Sequence, residues 1–123
     1  MEKDRLIDLV IKECISQRIH TILCAFNSYR SMYEFRWAVK DGLLYRDKSK
    51  YYENLPTTMK YGITYIYFVF DGYFNLDGIN PDLLILQDGN YKDFKFVPYL
   101  RYRTRAVKNS KILYLDADEE LNG

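Results

Sequence analysis

Residues 78–97 read GINPDLLILQDGNYKDFKFV, and the fold class turns on this stretch. The aliphatic run Leu83-Leu84-Ile85-Leu86 is bounded by Pro81-Asp82 on one side and Asp88-Gly89-Asn90 on the other. Such a run between turn residues predicts a strand over 82–87. Asp88-Gly89-Asn90 then reads as a short hairpin connection, with a return strand over 91–97. Strand alternation puts Asp93 and Lys95 on one face of that return strand, and Phe94 and Phe96 on the other. The hairpin would bring Asp82 alongside the Asp93 end of its partner.

Outward from this hairpin, Ile63–Phe70 is dense in β-branched and aromatic residues and predicts a buried strand. A last short strand is expected over 111–116. Pro98 suits the first position of a helix over 99–108, with Arg101, Arg105 and Lys108 as its outer stripe. If that segment is a strand instead, Arg101, Arg103 and Arg105 share one face. At the other end, Leu6, Ile7, Val10, Ile11 and Cys14 form the apolar stripe of a helix over 4–17. Residues 19–26 fit either a continuation of that helix or a short strand. Ser31-Met32-Tyr33-Glu34 fits a capping box, so a second helix is expected from Ser31 to Lys40, ended by Asp41-Gly42. Residues 43–60 are polar and irregular, which makes 18–60 a helical and irregular insertion. Residues 116–123 form an acidic tail expected to fray. The expected architecture is a single mixed α+β domain over 1–123. Its sheet would contain 63–70, 82–87, 91–97 and 111–116, packed on the first helix.

Composition narrows the function. The chain has 123 residues, 18 Lys+Arg against 17 Asp+Glu, 48% hydrophobic and 28% charged residues. That is the balance of an ordinary globular domain, and it excludes a polyanion, a polycation or a disordered chain. Charge is nevertheless uneven: 92–111 carries seven basic residues and the single acid Asp93. Cys14 and Cys24 have no metal-ligand spacing and read as reduced core thiols. His20 is the only histidine, which removes His-based zinc clusters and argues against a Ser-His-Asp triad. No glycine-rich phosphate loop is present. Acidic residues near the start argue against a signal peptide, and the longest apolar run is far below a membrane span. A cytoplasmic protein with no membrane association is expected.

The convergence of Asp82, Asp93 and Lys95 is the one constellation that could carry chemistry. Two close carboxylates suit a hard divalent cation, and a neighbouring lysine can orient or activate a metal-bound water. Each residue also has a plainer reading. Asp82 after Pro81 fits a turn or cap residue, and Asp93 with Lys95 fits a solvent-facing strand pair.

On these residues the sequence resembles the PD-(D/E)xK nuclease superfamily, most of all archaeal-type Holliday junction resolvases and VRR-type nuclease modules. The resemblance rests on Gly78–Gly89 with Asp93-Phe94-Lys95, and on an element order similar to a restriction-endonuclease-like αβββαβ core. It implies that Asp82 and Asp93 bind Mg²⁺ or Mn²⁺ and that Lys95 assists the attacking water. It also implies an acid on the first helix, where Glu13 is the candidate. Arg101, Arg103, Arg105 and Lys108 would then contact nucleic acid. Two functions follow from this reading. One is metal-dependent phosphodiester hydrolysis by a small nuclease or resolvase, which at this size would need a homodimer to cut both strands. The alternative is a non-catalytic nucleic-acid-binding or viral or mobile-element accessory protein, an inhibitor or assembly subunit, acting through a basic and aromatic surface on nucleic acid or a protein partner.

Overall fold

The computed structural model describes residues 1–54, 56–72, 78–89, 91–92 and 95–117. In chain order these form α1 (Lys3–Ser16), β1 (Thr21–Phe26), α2 (Tyr29–Arg46), a 3-10 turn (Lys48–Lys50), β2 (Tyr51–Asn54), β3 (Thr58–Tyr61), β4 (Thr64–Phe70), β5 (Leu83–Gln87), α3 (Phe96–Arg105) and β6 (Lys111–Leu115). One six-stranded mixed sheet runs in the order β2-β3-β4-β1-β5-β6. β1 lies parallel to both β4 and β5, and β6 is parallel to β5. β2, β3 and β4 form an antiparallel meander at the other edge.

Alternation along the strands sorts the core onto two faces. Ile22, Cys24 and Phe26 of β1 point to the side covered by α1 and α2, where they meet Leu6, Val10, Phe35 and Val39. Leu23 and Ala25 point to the other side, where Leu84, Leu86, Phe96 and Leu100 complete a second core beneath α3. The expected mixed α+β class is therefore observed, with helices on both faces of the sheet.

Several local expectations are corrected. The hairpin over 82–97 does not form. All five residues of β5 are buried, and its edges are taken by β1 and β6, so no edge remains for a return strand. Tyr91, Lys92 and Lys95 lie outside any strand, and Phe96 and Val97 open α3. Phe96 is fully buried, with its ring centroid 5.3 Å from that of Tyr91. The segment at 99–108, open between helix and strand, is largely helical. Residues 18–60 are no insertion, since they supply the central strand β1 and the core helix α2. β1 is a strand because both of its edges are hydrogen-bonded and both of its faces are covered.

The start of α2 is set by Ser28, whose side chain accepts from the Ser31 amide at 3.2 Å. Nor does Asp41-Gly42 end this helix. A Cβ on Gly42 would lie 2.4 Å from Ile11 Cδ1, so the glycine serves close packing of α2 on α1. The tight β3–β4 turn does use a left-handed glycine, Gly62 at φ 60. There Gln17 at the end of α1 donates to the Tyr61 carbonyl at 2.9 Å and accepts from the Ile63 amide at 2.7 Å.

Candidate nucleic-acid interface

Asp82 immediately precedes β5 and ties together the beginnings of three parallel strands. Its Oδ2 accepts from the backbone amides of His20 at 3.2 Å and Thr21 at 3.0 Å, at the start of β1. Its own amide donates to the Thr21 carbonyl at 2.9 Å, and its carbonyl accepts from the Lys111 amide at 3.0 Å, at the start of β6. Asp82 thus joins strands 61 and 62 positions apart, a longer reach than the local turn or cap that its sequence context predicts.

A groove of about 620 Å³ opens at these strand beginnings. Leu9, Ile19, Leu83 and Leu113 give it an apolar floor, while Glu13, Arg18, Asp82, Lys108 and Lys111 supply its charges. Lys108 lies in the turn between α3 and β6, in which Asn109 adopts a left-handed backbone at φ 65, and Lys111 opens β6. Asparagine tolerates this conformation better than most residues. Arg18 extends from the link between α1 and β1. Arg18, Lys108 and Lys111 are all exposed, so three cations and two carboxylates share one apolar-lined groove.

The groove brings together three of the residues singled out in the sequence: Glu13, Asp82 and Lys108. Arg105, exposed on the last turn of α3, lies a few residues before Lys108. Arg101 and Arg103 are engaged elsewhere. The Arg101 guanidinium lies 5.5 Å from the Tyr114 ring centroid. Arg103 Nε donates to the Ile79 carbonyl at 3.1 Å, with its guanidinium 5.8 Å from the Tyr99 ring centroid. Lys95 stands at the start of α3, beyond the far end of β5 from Asp82. Five strand residues span roughly 17 Å, so Asp82 and Lys95 do not converge. Asp93 lies outside the described residues.

These positions bear on the metal. Among the described residues no group of three His, Cys, Asp or Glu side chains could hold an ion. Asp82 Oδ2 accepts two amide hydrogens, and the groove holds more cations than carboxylates. Glu13 and Asp82, two of the ligands that the resemblance implies, line this groove together. What it can do is receive an anion that carries an apolar or planar body, with Arg and Lys pairing to the charge.

The opposite end of the parallel strands was the other place to expect a ligand, since open α/β sheets bind in the crevice where strand order reverses. Here that crevice lies between β1 and β5. Asn27 and Gln87 lie there: the Asn27 backbone amide donates to Gln87 Oε1 at 3.0 Å, and Asn27 Nδ2 to the Asp88 carbonyl at 3.2 Å, while Asn27 Oδ1 and Gln87 Nε2 are buried without a partner among the described residues. The described charged residues that close these strands, Asp71 and Asp88, are acidic, and the loop Asn27-Ser28 into α2 contains no glycine. Sequence reasoning missed Arg18 and the grouping of Lys111 with it. Only the parallel pairing of β1, β5 and β6 brings those two strand beginnings together.

No family model matches the chain, and no curated protein sequence matches it. Among solved structures, the chain is similar to the crystal structure of the HK97 bacteriophage large terminase, with a TM-score of 0.71 and 11% sequence identity. The match covers 94% of this chain and 27% of the terminase chain, so this chain spans about a quarter of that protein's length. At this identity the likeness is one of fold.

Proposed function

We propose that this chain is a non-catalytic nucleic-acid-binding accessory protein of a virus or mobile element. It holds the phosphate backbone in the groove at the beginnings of β1, β5 and β6. The observation that carries this reading is the meeting of Arg18, Lys108 and Lys111 around one apolar-floored groove. Arg105 extends the cationic surface along α3. Basic side chains pair with phosphate oxygens and fix register, whereas an apolar floor receives sugar or base. The shared fold with a bacteriophage large terminase supports the viral setting.

The competing reading is metal-dependent cleavage, favoured by Glu13 and Asp82 lining one groove. Fluorescence anisotropy with labelled single-stranded and duplex DNA and with RNA, followed by incubation of each in Mg²⁺ or Mn²⁺, separates the two. The proposal expects binding without cleavage. Metal-dependent cleavage by the parent protein that Asp82→Asn abolishes would overturn it, as would absence of binding at low salt.

A further inference from the structure

The outer face of α2 carries Tyr29, Tyr33 and Trp37 at four-residue spacing, and the same row continues through Asp41 to Tyr45. The aromatic members are 52%, 44%, 57% and 95% exposed. Their rings run in series along the helix, with centroids 6.1 Å apart for Tyr29 and Tyr33 and 6.5 Å for Tyr33 and Trp37. At the usual area of an aromatic side chain, this row leaves about 500 Å² of ring surface in water. Patches of that size on monomers are often functional.

We propose that this row docks a second copy of the chain, α2 packing antiparallel on α2 about a twofold axis at Trp37. In such an interface the same patch serves both copies, so residues equally far before and after the axis meet. The sequence is self-complementary under that operation. Trp37 meets Trp37, and Tyr29 meets Tyr45. Tyr33 meets Asp41, whose carboxylate can accept from the tyrosine hydroxyl. α2 has 18 residues, which gives it a length of about 27 Å for the crossing.

A second copy suits this face better than nucleic acid does. Four of the basic groups near the row are already engaged within the chain. Arg30 and Lys3 lie 3.4 Å and 3.6 Å from Glu34, and Lys40 lies 3.0 Å from Glu53. Arg36 is buried and donates to the Pro56 carbonyl at 2.7 Å. Phosphates would find few unpaired cations here. The ring surface of two copies, with its polar rim, reaches the low end of stable interfaces, about 1,200 Å².

The test uses Trp37 as a built-in probe, since it is the only tryptophan. Sedimentation velocity and tryptophan emission are followed from about 1 to 200 μM protein, a range suited to a small interface. The proposal expects a monomer–dimer transition with a blue shift of emission as the dimer forms. Trp37→Phe should keep the dimer. Trp37→Glu, which sets two carboxylates face to face at the axis, should weaken it at least tenfold while circular dichroism stays unchanged. A monomer at every concentration would overturn the proposal, as would a dimer indifferent to Trp37→Glu. Quenching of Trp37 by a single-stranded oligonucleotide in a protein that does not self-associate would assign the row to nucleic acid instead.

Discussion

Asp82 has a structural role that its sequence context does not show. Its carboxylate holds the first amides of β1, so its loss leaves those donors without their partner. Asp82→Ala should lower stability by about 1–2 kcal/mol, and Asp82→Asn by less because one amide oxygen can still accept. Thermal unfolding of the two variants checks this. The thiols give a second prediction. Burial, with the charge of Glu13 beside it, pushes Cys14 up to about 12, and full burial also raises Cys24. Neither should react with a thiol reagent at neutral pH until the chain unfolds. The sign of the pH dependence follows. The unfolded thiols ionise near 9, while the folded ones keep their protons. Their contribution is whole below pH 9 and is lost progressively as pH rises toward 12. A melting temperature that stays constant from pH 8 to 11 would contradict this.

At the level of elements, the structure departs from simple sequence rules where packing decides. α1 was legible because its apolar stripe repeats at helical period, and the observed helix, Lys3–Ser16, differs from 4–17 only at its ends. The end of α2 was not legible, because Asp41-Gly42 carries a turn signal that Ile11 explains only in three dimensions. Replacing Gly42 by Ala should therefore depend on its neighbour. In an Ile11→Ala background, Gly42→Ala should stabilise by about 1 kcal/mol through helix propensity. In the parent it should gain less, because Ile11 must move. Equal effects in the two backgrounds, measured by denaturant unfolding, would contradict the packing role. Residues 19–26 were ambiguous for a related reason. An unbroken apolar run suits a buried helix or a buried strand, and only the neighbours β4 and β5 decide between them.

For the whole molecule, the mixed class and the strands near 63–70, 82–87 and 111–116 could be read from local pattern. Which strands lie side by side could not, since pairing between β1, β5 and β6 joins residues 60 or more positions apart or across a helix. That is why the 82–97 hairpin from which the catalytic grouping was drawn does not form. It is also why a groove built from Arg18, Lys108 and Lys111 was not anticipated. The basic content of 92–111 was visible, but Arg101 and Arg103 are held against Tyr114 and Ile79 rather than joining that groove. The most direct test of the phosphate-binding account is the salt dependence of nucleic-acid affinity, in the parent and in Arg18→Ala/Lys108→Ala/Lys111→Ala. Three phosphate contacts should give a slope of log affinity on log salt of about −2 for single strands and about −3 for duplex. The triple variant should bind more weakly at low salt, with most of that slope gone. Parent and variant lines that coincide would contradict the account.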